Sequence, residues 1–223
     1  MNKWDSENLN KYNQPRLAYK DRNSLEDSEM KEVFDSIVSS ERGVGTMSNG
    51  SLPGPFNTWL YADAEMAKCL DKIGIAVRKN TKNVSEVIKE FAICIIAAHF
   101  RSNVEFWAHS KGAIKHGVSV EILDNLKNDQ RPIFKDNEFE SALSITYEFV
   151  KEYLILFSIK DESYDKMLST IGSEKGMVEF VLVISHYVGL AAQLNIMRIP
   201  NPGPKQIFTN KNITYFLPFH YDR

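Results

Sequence analysis

Eighteen consecutive residues, Phe180 to Met197, carry no formal charge, a run close to the length that spans a membrane. A chain holding such a segment must bury it either in lipid or among its own helices. Ser185, His186, Gln193 and Asn195 interrupt the run, and Glu179 and Arg198 close it at both ends. That polarity favours the buried helix of a soluble bundle. The rest of the chain offers helices to surround it. Apolar Met30, Val33, Phe34, Ile37 and Val38 predict a short helix over 29–40. The pattern over 56–79 is helical, with a break near Asp63. Asn83 to Glu86 reads as an N-cap with its capping-box partner, opening a helix that runs to about Phe100. The second half of that helix, FAICIIAA, is apolar all round and belongs in a core. Further helices are expected over 102–116, stopped by Gly117, and in a short segment capped by Ser119. Two more cover 137–158 and a stretch from a Ser163 cap to Gly172, and the last covers 174–197, stopping before Pro200. No β alternation or solenoid repeat is evident, so the fold class is all-α.

Composition excludes several roles. Hydrophobic residues make up 43% of the 223, enough for a packed core. With 27 basic and 29 acidic residues there is no basic excess to attract nucleic acid or anionic lipid, so neither is expected as a partner. The opening residues MNKWDSENLNKYNQ lack the apolar core of a signal peptide. Cys69 and Cys94 both lie in apolar stretches and read as reduced structural thiols of a cytoplasmic protein. Residues 1–28 are polar and predict a mobile or peripheral arm. The loop GVGTMSNGSLPGP, 43–55, lacks the Lys-Ser/Thr ending of a phosphate loop and a strand leading into it, so it reads as a connection.

Chemistry concentrates in EFAICIIAAHFRSNVEFWAHSKGAIKHG, 90–117. Glu105, His109, Gly112 and His116 follow one another at steps of four, three and four and share one helix face. Val104, Trp107, Ala108 and Ile114 fall on another side and can face the core. A carboxylate beside an imidazole fixes its tautomer and equips it for proton transfer near neutral pH. Glu90 lies on the partner helix, where burial would raise its pKa and make it an acid or relay. Ser102 opens the second helix, and its hydroxyl beside unpaired backbone N–H groups suits a substrate carboxylate. Spacing alone leaves other readings open. Glu105 and His109 can be a solvated surface pair, Gly112 a close helix contact, His116 a group on the helix C-terminus, and Glu90 part of a solvated face. Glu105, His109 and His116 supply too few ligands to argue for a metal.

Together with LPGPFNTWLYADAEMAKCLDKIGIAVR (52–78) and EKGMVEFVLVISHYVGLAAQLNIMRIPNP (174–202), the EFWAHSKGAIKHGVS segment (105–119) resembles the carboxymuconolactone decarboxylase family. The resemblance covers roughly 45–204. It sets off residues 1–44 as a polar arm with a short helix and 205–223 as an aromatic tail. It implies an alkylhydroperoxidase-D-like (AhpD-like) helical bundle assembled as a homotrimer or homohexamer. In the peroxidase branch a Cys-x-x-Cys-x-x-x-His box follows a Glu. Here Ser102 and Glu105 stand at the two cysteine positions, His109 at the His, and Glu90 at the preceding Glu. That argues against thiol chemistry and implies a lyase, with a small carboxylated lactone or ring compound as substrate. Neither metal nor organic cofactor is called for. His109 would be the proton donor, Glu105 would orient and charge it, and Glu90 would be a second acid or base. Arg101, or else Arg78, would grip a carboxylate, and Gly112, His116, His186 and Tyr187 would line the pocket; His186 and Tyr187 read equally as a satisfied buried histidine and a packed tyrosine. Two alternatives stand beside it: an alkylhydroperoxidase-like antioxidant activity through Cys69 and Cys94, and a non-catalytic oligomeric small-molecule-binding protein.

Overall fold

A computed structural model describes residues 15–40, 44–201 and 206–208. Among these residues there are nine α-helices, one short 3-10 turn at Arg22–Ser24 and no strand. The helices are α1 (Ser28–Ser39), α2 (Pro55–Trp59), α3 (Ala64–Lys79), α4 (Glu86–His99), α5 (Asn103–Lys115), α6 (Val120–Lys127), α7 (Glu138–Leu156), α8 (Asp161–Ile171) and α9 (Glu174–Ile196). The chain is therefore all-α.

Local chemistry sets the boundaries. Asp63 accepts from the Glu65 and Met66 amides, which breaks α2 from α3. Ser119 caps α6, and Gly117, at φ 98°, turns the chain out of α5 in a conformation that favours glycine. Two caps differ from expectation. Ser85, not Asn83, caps α4, because both the backbone N–H and the side-chain amide of Asn83 are bound by Glu179 on α9. Lys160, not Ser163, stands at the start of α8, where Ser163 sits inside the first turn and donates its hydroxyl to Glu152 on α7.

The centre of the molecule is α4. Ile88 through Ala97 are all buried, the apolar run from Phe91 as its sequence requires and Lys89 and Glu90 with it, and α5, α6, α7 and α9 pack around them. Phe91 and Phe180 are sealed completely. Burial of an aromatic side chain of this kind contributes about 1.5–3 kcal/mol. A smaller core joins α1, α2 and α3 through Phe34, Ile37, Trp59 and Ala67, and Leu190 of α9 touches both clusters. By length and composition α9 could cross a membrane, but in the bundle one of its faces is taken by α4, α3 and α8.

The peripheral segments dock more firmly than their polarity suggests. The Arg16 amide donates to Met197 O, and Asn57 and Tyr61 both donate to Ala18 O. Asp21 bridges Ser51. These bonds to main-chain groups hold residues 15–28 at the edge of the bundle, the peripheral one of the two placements that their polarity predicts. Residues 1–14 and 41–43 of the arm and residues 205 and 209–223 of the tail lie outside the described residues. Phe208 is buried, with its ring edge-on to Phe106, and its amide donates to Asn103 Oδ1.

Candidate functional site

A cavity of about 680 Å³ opens between α2, α3, α4, α5 and α9, where the two apolar cores meet. Phe56, Trp59, Trp107, Leu190 and Leu194 furnish apolar walls. The Trp59 indole N–H donates to Gln193 Oε1 on α9 at 3.0 Å, which fixes that wall. Glu90, Glu105, His109 and Tyr187 are buried in its depth, and Arg78, Lys79, Glu86 and Lys111 are exposed at its rim. The Lys111 ammonium lies 3.3 Å from the centroid of the Trp107 ring, a cation–π contact at the entrance.

Glu90 is buried because α4 has no solvent face between Ile88 and Ala97, and a buried carboxylate needs partners. It has two. Glu90 Oε2 lies 2.7 Å from His109 Nδ1, and Arg78 Nη2 donates to Oε1 at 3.3 Å. Arg78 Nη1 also donates to the Tyr187 hydroxyl at 3.3 Å, and the Tyr187 ring stands edge-on to His109 at 4.9 Å. Burial pushes the Glu90 carboxyl up, yet the His109 hydrogen bond and charge and the Arg78 guanidinium outweigh it and hold it below its usual range. The sequence expectation of a raised Glu90 is therefore corrected. Tyr187 is pushed up to about 12 by burial and stays neutral.

Gly112 makes this arrangement fit. A Cβ there would lie 2.5 Å from Glu90 Oε2 and 2.6 Å from its carboxyl carbon. Gly112 thus seats the Glu90 carboxylate against His109, a packing role as well as a wall of the cavity. Gly112→Ala is expected to push the carboxylate off the imidazole at a cost of about 1–3 kcal/mol, with the fold intact because the yielding group is a side-chain terminus. The readout is the hydrogen-bonded His109 Nδ1–H proton resonance in wild type and variant; an unchanged resonance would show that Gly112 does not set the contact.

Glu105 has the opposite surroundings. It is 2% exposed and lines the cavity, and neither carboxyl oxygen has a hydrogen-bond partner among the described residues. Desolvation pushes its carboxyl up to about 8. The Ser102 hydroxyl stands near enough to offset part of this, without closing a hydrogen bond of normal geometry. The expected division of labour is thereby exchanged. The residue four positions before His109 does not bind it; the charged partner comes from across the helix pair.

Other candidates separate. His186 and Tyr187 line the cavity as expected. His116 is exposed at the C-cap of α5, away from the cavity. Ser102 is the N-cap residue but makes no side-chain cap bond, and it is fully buried and not part of the lining, which corrects its reading as a carboxylate seat. Arg101 adopts a left-handed backbone, φ 54°, and its guanidinium lies 5.2 Å from the Phe208 ring centroid, so Arg78 is the arginine of the site. Trp107 and Ala108 line the cavity instead of facing the core, and Ile114 is exposed, because the core side of α5 is taken by Val104, Phe106 and Ala113. Cys94 is fully buried, whereas Cys69 is exposed on α3, whose buried face is Ala64, Ala67, Gly74 and Val77. Among the described residues no three His, Cys, Asp or Glu side chains converge as a metal site. Lys111 and the aromatic pair Phe56 and Trp59 escaped the sequence reading. The Trp107–Lys111 step of four was the signal that could have exposed the former. In comparisons with known proteins, no family model and no curated protein sequence matches the chain.

Proposed function

We propose that this protein is a carboxymuconolactone decarboxylase-like lyase with an alkylhydroperoxidase-D-like fold, acting without a cofactor on a small carboxylated lactone or ring compound. The observation that carries the reading is the 2.7 Å contact of His109 Nδ1 with Glu90 Oε2 deep in a cavity with a cationic rim. A carboxylate on Nδ1 fixes the tautomer and ring orientation, which leaves Nε2 to carry the mobile proton. Arg78 and Lys111 draw an anionic substrate inward, and the aromatic walls take its ring. The bond from ring carbon to carboxylate breaks, CO2 leaves, and the electron pair passes into the conjugated carbonyl as a dienolate. His109 then delivers one proton to carbon and recovers one from water.

The reading is tested with carboxylated lactones and related unsaturated ring acids, following CO2 release and, in D2O, deuterium bound to carbon in the product. His109→Asn is expected to slow turnover about a thousandfold with an unchanged circular dichroism spectrum. Turnover at the wild-type rate would remove His109 from the mechanism. Peroxidase chemistry is disfavoured by Cys94, whose thiol is pushed well above its ordinary value by burial, reinforced by Glu90. Assembly as a trimer or hexamer belongs to the same proposal. It is supported by the exposed Val178, Val181, Leu182 and Ile196 on the outer face of α9.

A further inference from the structure

Glu105 is a cavity-lining residue whose buried carboxyl the proton transfer from His109 leaves without a task. Its two oxygens have no partner among the described residues, and it is 2% exposed. Among the described residues no cation acts on it: Arg78 is shared between Glu90 and Tyr187, and Lys79 and Lys111 are exposed at the rim. The titratable groups that sense its charge from neighbouring elements are Cys94 on α4 and Tyr187 on α9, both buried and both held neutral by burial. An ionised carboxylate in this position would be uncompensated, whereas a carboxylic acid has one O–H to donate and a carbonyl oxygen that can accept from Ser102. An unmet buried donor beside a cavity is a recognition element for an acceptor atom.

Resting on the lyase reading of this cavity, we propose that Glu105 acts as a neutral hydrogen-bond donor on which the ligand's carbonyl oxygen docks, the oxygen that becomes an enolate when CO2 departs. Its pKa near 8 keeps the proton in place at neutral pH. The hydrogen bond strengthens as charge grows on the acceptor, so the group stabilises the dienolate more than the substrate. The cavity then reads both ends of its ligand: a cationic rim for an anionic group and a buried acid for a carbonyl.

The proposal is tested by binding, apart from turnover, with 3- and 4-acetylbenzoate against 3- and 4-isopropylbenzoate. These pairs share a carboxylate and match in shape, and differ in the acceptor oxygen. At pH 6.5 at least one acetyl compound is expected to bind five- to tenfold tighter than its isopropyl partner, and the advantage is expected to fade as pH rises through about 8. In Glu105→Gln, whose amide donates at every pH, the advantage should persist without that fade, and in Glu105→Leu it should vanish. Infrared difference spectra between wild type and Glu105→Gln at pH 6.5 should show the carbonyl stretch of a protonated carboxyl. Equal affinities within both pairs, failure of every probe to bind, an advantage that survives in Glu105→Leu, or an absent protonated-carboxyl band would each overturn the proposal. None of these results would touch the assignment of His109, which is read from CO2 release and carbon-bound deuterium.

Discussion

Glu105→Gln is expected to stabilise the fold by about 3 kcal/mol at pH 7, because holding a group of pKa near 8 protonated while its unfolded counterpart ionises near 4.5 costs 1.36 kcal/mol per pH unit between them. The folded pKa is raised, so the unfolded chain is the state that releases its proton first as pH climbs. Below about 4.5 both states are protonated and the group is neutral in the balance. From there the wild type loses stability steadily, and the loss levels off above about pH 8 at about 5 kcal/mol. A glutamine has the same shape and nothing to ionise. Urea unfolding at pH 5, 7 and 9 should therefore give a variant-minus-wild-type difference that grows with pH and then flattens. A difference independent of pH would show that Glu105 is not held neutral. If the difference does grow, the site is one where function is retained at the expense of stability.

The second large effect is expected on turnover. Glu90→Gln keeps the size of the side chain but removes the charge beside His109 and lets the imidazole adopt either tautomer. Loss of the orienting carboxylate of such a pair lowers turnover by about three to four orders of magnitude. Gly112→Ala acts on the same contact by displacing the carboxylate, so the two changes should be strongly non-additive: once Glu90 is Gln, adding the methyl at position 112 should cost little more. The measurement is a double-mutant cycle on kcat. Additive losses would mean that Gly112 serves the cavity by some route other than seating Glu90.

Most helix boundaries are legible because each rests on short-range chemistry: the Asp63 break, the Ser119 cap, the Gly117 and Gly172 stops. The two caps that are not, at Ser85 and Lys160, fail for one reason. Asn83 is taken by Glu179 and Ser163 by Glu152, partners 96 and 11 residues away, and a local pattern carries no trace of them. The site behaves likewise. The residues Glu90, Glu105 and His109 stand out in the sequence, but their pairing does not. The i,i+4 step joins Glu105 to His109 on paper, while in space α4 crosses α5 so that Glu90 reaches the imidazole first. Gly112 held the clue, since a bare backbone between two functional residues marks a close approach from another helix. The swap in charge follows from the neighbours: Glu90 meets His109 and Arg78, and Glu105 meets apolar walls, the Ser102 hydroxyl and the neutral Cys94 and Tyr187.

The burial of α4 from Ile88 to Ala97 has a consequence for how long the site persists. Backbone amides in a helix enclosed on every side exchange with solvent through opening of the whole fold, not through local fraying. Glu90 sits towards the N-terminal end of that protected segment. The backbone that carries Glu90 is therefore expected to hold its place until the fold opens as a whole, so the carboxylate side of the proton-transfer pair is among the last parts of the molecule to come apart.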